Sequence, residues 1–234
     1  MKQLTIKTAF VDTVVILIVI FCGSYFGNAM PIRLITVACL IMALIEVIVS
    51  NHYADNGKAN QKVGFNVAMT IILLSAICLL LNYQLDWRYY IICLGMALAC
   101  DACGLFFGRM FGGNHTPWFC RRLSPNKTYA GYLGELLIAL LTGSLGMWLL
   151  GIPPYWTNIL FVLTGWIACA AGDLVGSGTK RELGIKHSSD YLIDLPILGK
   201  IEVLMRSRHG FLDCMDSASF AIIYFILLQQ LGRL

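Results

Sequence analysis

Between Gly64 and Asn82 the chain reads GFNVAMTIILLSAICLLLN, a stretch without one charged side chain. About 20 apolar residues, wound as a helix, cross the roughly 30 Å of hydrocarbon in a bilayer. A membrane strand would be shorter and would alternate, so a long unbroken run points to a helix. Comparable runs lie near 9–27, 32–50, 88–108, 129–150, 156–175 and 211–231. The expected fold is therefore all-α, a polytopic membrane protein with about seven transmembrane helices.

Composition agrees. The 234-residue chain is 58% hydrophobic and 13% charged, with a mean hydropathy of +0.74. A soluble domain carries about 25% charged residues, so a soluble class is excluded. The run at 9–27 follows Lys2 and Lys7, as the apolar core of a signal peptide would. Its length and the spans after it mark it instead as a retained helix. Most of the nine cysteines (Cys22, Cys39, Cys78, Cys93 and Cys169 among them) sit in apolar runs and read as small buried hydrophobes. Cys100 and Cys103 form a C-x-x-C pair, but no second pair completes a zinc site. No internal repeat or low-complexity tract is visible.

Lys and Arg placement orients the helices. Lys2, Lys7, Lys58, Lys62, Arg109, Arg121, Arg122, Lys127, Lys180, Arg181, Lys186, Lys200, Arg206 and Arg208 all fall on one side. Only Arg33, Arg88 and Arg233 fall on the other. The expectation is a cytoplasmic N-terminus, an external C-terminus and two long cytoplasmic loops, 109–128 and 176–210.

That orientation gathers the acids at one mouth. Asp101 falls in the cytoplasmic half of the fourth span, Asp173 at the end of the sixth, and Asp213 and Asp216 at the start of the seventh. Glu46 and Glu135 lie at the same level. Acids near a membrane are expensive and call for a reason. Clustered carboxylates repel one another unless a cation lies between them. Mg²⁺ takes a few carboxylates plus phosphate oxygens. Asp213 and Asp216, three residues apart, share a helix face and are the expected metal pair, with Asp173 nearby. The plainer alternative is that these acids pair with the Lys and Arg of the loops, a reading that weighs most for Glu46 and Glu135.

The bases suit phosphates. Lys180, Arg181 and Lys186 stand beside Asp173. Ser177-Gly178-Thr179 reads as a loop with hydroxyls and a backbone free to approach a phosphate. Ser124-Pro125-Asn126-Lys127-Thr128 turns into a helix start, a ready anion site. Simple anchoring to acidic lipid accounts for Arg206 and Arg208 but not for the Gly, Ser and Asp interleaved from Gly172 to Lys180. His209, before a Gly at the helix mouth, is suited to orient a phosphate or carry a proton. His187 is a weaker candidate.

Together these residues resemble the CTP-dependent phosphatidate cytidylyltransferases, or CDP-diacylglycerol synthases. That family carries Ser, two residues, Lys-Arg, four residues and Lys-Asp, then a His-Gly-Gly element and Leu-Asp-Arg-x-Asp-Ser. Ser177, Lys180, Arg181 and Lys186 match the first part; His209, Gly210, Leu212, Asp213, Asp216 and Ser217 match the second. The upstream element appears as Asp101, Phe107, Gly108 and Arg109, then Ser124, Pro125, Lys127 and Thr128. The likeness runs from about 95 to 225. It divides the chain into 1–87, three helices without a motif, and 88–234, a catalytic cytidylyltransferase-like membrane part. The chain departs from the pattern at Ala130, Gly176, His187 and Cys214. It also carries extra residues, Leu192 to Val203 among them, before His209, where Asp190 or Asp194 could stand in for the acid missing at 187.

The resemblance implies transfer of a cytidylyl group from CTP to phosphatidate, with Mg²⁺ and room for a second cation. Asp173, Asp213 and Asp216 would hold metal; Lys180, Arg181 and Lys186 would act in catalysis. Asp101, Ser124, Lys127, Thr128, Ser177 and His209 would bind CTP or lipid phosphate. The expected partners are CTP, an anionic lipid and the membrane, with a homodimer left open and no nucleic acid. The expected location is the cell membrane, with the site at its cytoplasmic face. Other readings are a CTP-dependent polyprenol or phytol kinase, a CDP-archaeol-like synthase, a transporter, or an inactive paralogue. A transporter would favour acids deep in the helices and symmetric halves, and neither is seen.

Overall fold

In the computed structural model the described residues are 30–54, 64–83, 86–113, 115–121, 123–125, 127–153, 155–185 and 210–231. They form six helices: α1 (Met30–Ala54), α2 (Gly64–Asn82), α3 (Trp87–Phe111), α4 (Tyr129–Leu149), α5 (Trp156–Glu182) and α6 (Phe211–Gln230). All six are long and apolar enough to cross a membrane, and no strand occurs among the described residues. The span expected at 9–27 lies outside the described residues.

Five of the expected spans agree with the helices to within a few residues. The sixth does not: α5 was expected to end near 175, yet it continues to Glu182. Ser177, Lys180 and Arg181 are therefore helical rather than part of a phosphate-binding loop. Two causes extend the helix. Gly172, Gly176 and Gly178 are buried against neighbouring helices, and Lys180 and Arg181 in the last turn suit the negative end of the macrodipole. The helix closes on Gly184 at φ 69°, with the Ile185 amide donating to the Lys180 carbonyl (3.0 Å). This is a Schellman turn, where glycine takes the left-handed residue.

α6 is the hub of the bundle, packed against α5, α3, α1 and α2. In its most apolar window 67% of residues are buried, against 28–39% in the other helices, so α6 alone is lined by protein on nearly every side. Phe225 and Ile226 of α6 are fully buried, and Phe225 meets Tyr89, Tyr90 and Phe161. On α4, Leu133, Leu137, Leu141 and Leu145 are exposed at four-residue spacing, an outward stripe suited to lipid tails. Trp118 and Tyr129 are exposed near one end of the bundle; Trp148, Tyr155 and Trp156 are exposed near the other. Amphipathic rings of this kind favour the two interfaces of a bilayer.

At Gly172 the backbones of α5 and α6 meet with no side chain between them. A Cβ on Gly172 would stand 2.8 Å from the Ser217 Cα and nearer still to the Asp216 carbonyl oxygen. Membrane helices gain van der Waals contact by such backbone approach. Gly172→Ala should therefore lower the thermal midpoint in detergent, by about 1–3 kcal/mol of overpacking. Gly95→Ala, where a Cβ would meet nothing within 4 Å, is the matched comparison and should leave the midpoint unchanged or higher. Equal midpoints for the two variants would contradict the contact.

Candidate active site

The acids and lysines meet at the end of the bundle where α3 finishes and α4 and α6 begin. α4 starts at Thr128, whose hydroxyl accepts from the Gly131 amide (3.1 Å) as an N-cap. That cap places Lys127 just outside the helix, aimed back across it. The Lys127 ammonium pairs with Asp173 of α5 and lies 3.4 Å from Glu135 Oε1 of α4. It also sits 4.8 Å from the centroid of the Tyr132 ring. Burial alone would lower the Lys127 pKa, but Asp173 and Glu135 outweigh burial and hold it above the ordinary lysine range. Lys127 is thus a fixed charge rather than a proton carrier.

A second pair lies across the α5–α6 contact. Lys180 Nζ stands 2.5 Å from Asp213 Oδ1, within electrostatic range of Asp216 and Asp173 as well. Asp216 is buried, and its Oδ1 accepts from the Ser217 amide (2.7 Å). A Cβ on Gly176 would lie 2.7 Å from the Asp216 Cβ, so glycine at this departure from the family pattern is what admits Asp216. The Ser217 hydroxyl donates to Asp101 Oδ1 of α3 (2.9 Å), and Asp101 is in electrostatic range of Asp216 and Asp173. Ser177 donates weakly to Asp173 Oδ1 (3.4 Å).

A cavity of about 590 Å³ opens among α3, α4 and α5, with Asp101, Arg109, Lys127, Thr128, Glu135 and Asp173 in its wall. That volume is of the size that holds small ligands. Arg181 is exposed, and its Nε donates to the Leu123 carbonyl (3.4 Å), tying the end of α5 to the loop that carries Lys127. Ser124 lies in that loop, its carbonyl accepting from the Lys127 amide (3.1 Å). Lys186 and His209 lie outside the described residues, as do His187, Asp190 and Asp194.

Of the expected site residues, Asp101, Lys127, Thr128, Asp173, Ser177, Lys180, Asp213 and Asp216 thus stand on adjoining elements at one end of the bundle. The plainer alternative for the acids also has substance: Lys127 and Lys180 engage Asp173 and Asp213 directly. Among the described residues, no group of three or more His, Cys, Asp or Glu side chains is placed to hold a metal ion. Ser217 and Tyr132 are parts of the constellation that spacing did not reveal. Ser217 follows Asp216, yet its partner Asp101 lies 116 residues away.

Residues 1–231 match the family model for the cytidylyltransferase family, and the chain belongs to that family. Curated proteins similar to this chain include several phosphatidate cytidylyltransferases. That of Mycobacterium leprae is 32% identical over 121 residues, covering 51% of this chain and 38% of its own. That of Brucella suis is 32% identical over 126 residues, covering 53% and 41%. That of Staphylococcus haemolyticus is 32% identical over 133 residues, covering 56% and 45%. The matches thus span less than half the length of these relatives. No solved structure matches the chain.

Proposed function

We propose that this chain transfers a cytidylyl group from CTP to phosphatidate, giving CDP-diacylglycerol and pyrophosphate. The observation that carries the reading is the pairing of Lys127 with Asp173 and Glu135 in the wall of a cavity, with a second pair, Lys180 and Asp213, joining α5 to α6. Family membership and the relatives' names support the same chemistry. A second cavity of about 520 Å³, walled by Phe111, His115, Trp118, Arg121, Tyr129 and Leu133, joins aromatic and cationic surface beside the first. Such a wall suits an anionic lipid head group.

In the reaction an oxygen of the lipid phosphate attacks the α-phosphorus of CTP. The new P–O bond forms as the bond to the β-phosphate oxygen breaks, and pyrophosphate leaves with that electron pair. No protein nucleophile is required, so catalysis is positioning and charge stabilisation. Lys180, Arg181 and Lys186 offset charge on the leaving pyrophosphate. Ser124, Lys127 and Thr128 grip a phosphate from the loop before α4. Asp101, Ser177 and His209 line the substrates.

As they stand no three of the described acids form a metal cage, so a hard cation would enter with the CTP phosphates as further ligands. Asp101, Glu135, Asp173, Asp213 and Asp216 gather around the ammonium groups of Lys127 and Lys180. Carboxylates gathered in a sheltered place favour a divalent ion. Asp173, Asp213 and Asp216 would hold Mg²⁺, which would neutralise phosphate charge when bound. In this reading 88–234 bears the chemistry, 1–87 carries no motif and sends α1 and α2 against α6, the N-terminus is cytoplasmic, and the site opens at the cytoplasmic face of the cell membrane.

The test is a product assay. Purified protein with labelled CTP, Mg²⁺ and phosphatidate should yield CDP-diacylglycerol and pyrophosphate in equal amounts. CDP as the leaving product would turn the reading to a CTP-dependent lipid kinase. No product from any phospholipid or isoprenoid phosphate would end the enzyme reading.

A further inference from the structure

The first amides of a helix have no partner within it, and lipid offers none. α6 starts after Gly210, which has φ 128° and no side chain with which to cap the helix. The Phe211 and Leu212 amides donate instead to Glu46 of α1, at 2.6 Å to Oε1 and 2.8 Å to Oε2. Glu46 is 0% exposed. A carboxylate buried this deeply is costly unless donors hold it, and a helix N-terminus supplies both donors and a positive dipole end. Both oxygens are engaged by successive amides, so the grip fixes α6 along its axis and about it. Asp213 belongs to the same first turn, and its 2.5 Å contact with Lys180 depends on where that turn stands.

We infer that Glu46, on a helix that carries no motif residue, is a positioning residue for Asp213 and Asp216. It sets the rate of cytidylyl transfer rather than the affinity for CTP, an inference that rests on the activity proposed above. The fold contains its own comparison. Glu182 at the end of α5 accepts from the Phe65 amide (3.0 and 2.9 Å) and the Asn66 amide (2.9 Å), capping α2 by the same chemistry. α2 carries none of the acids or lysines of the site.

The experiment compares wild type, E46Q and E182Q as full chains in micelles. Glutamine keeps the size of the side chain but turns one acceptor oxygen into a donor that opposes an amide. In E46Q, amide hydrogen exchange at Phe211–Asp213 should quicken, and a small amine reagent should label Lys180 faster as Asp213 shifts away. With phosphatidate as acceptor, kcat should fall roughly ten- to a hundredfold, with KM for CTP changed by no more than about twofold. E182Q should quicken exchange at Phe65 and Asn66 and lower the thermal midpoint while kcat stays at the wild-type value. Wild-type kcat in E46Q, an equal loss in E182Q, or a rise in KM alone would overturn the inference. If wild type transfers nothing to any lipid phosphate, the functional reading fails by itself. Exchange and Lys180 labelling then still decide the positioning, and wild-type values of either in E46Q refute it. Should E46Q not be recovered folded, E46D, with both oxygens on a shorter arm, carries the same comparison.

Discussion

Asp213→Asn is expected to abolish turnover while leaving the fold intact. Asparagine keeps the shape of the side chain and removes its charge. In the native arrangement Asp213 lies 2.5 Å from Lys180 on the facing helix. Without that charge Lys180 is drawn toward Asp216 and Asp173, both within its electrostatic range. A group that acts on phosphate charge supplies several kcal/mol of stabilisation, and a loss of that size is on the order of a thousandfold in rate. Steady-state rates with CTP and phosphatidate measure the loss, and the thermal midpoint confirms that the variant is folded. A wild-type rate would remove Asp213 from the machinery.

Lys127→Met is expected to do the largest damage to stability. The ammonium bridges Asp173 of α5 and Glu135 of α4, and its side chain is 16% exposed, so little solvent screens it. Methionine fills the volume but leaves two carboxylates facing each other without their cation. Removing one member of a buried pair costs about 3–5 kcal/mol, and partial exposure puts this site at the lower end, about 3 kcal/mol. The midpoint in detergent should fall accordingly. Activity should fall too, since the proposed phosphate grip includes Lys127. An unchanged midpoint would mean that the bridge does not hold α4 to α5.

The two lysines show what a sequence can and cannot disclose. Apolar runs such as 64–82 are legible because lipid imposes a local rule on every residue of a span. The gathering of the acids toward one end of the bundle was legible as well, because successive spans of similar length run in alternating directions. The length of α5 was not. Gly176 and Gly178 look like loop residues until α6 and Phe65 of α2 are seen to press on them; a Cβ on Gly178 would lie 2.7 Å from the Phe65 ring. Nor could spacing show that Lys127 turns to Asp173, or that Ser217 joins Asp101. These partners come from different helices and are set by packing. Glu46 was visible as an acid at the right depth, but its two amide donors lie 165 and 166 residues further on.

That last distance has a consequence for how the protein is made. Helices enter the bilayer in the order of synthesis, and α6 is the last of those described. Its opening amides find the Glu46 acceptor only when α6 docks against α1. Biogenesis therefore closes a ring, joining the last described helix to the first. Until that closure, the first turn of α6, which carries Asp213, lacks its Glu46 acceptor.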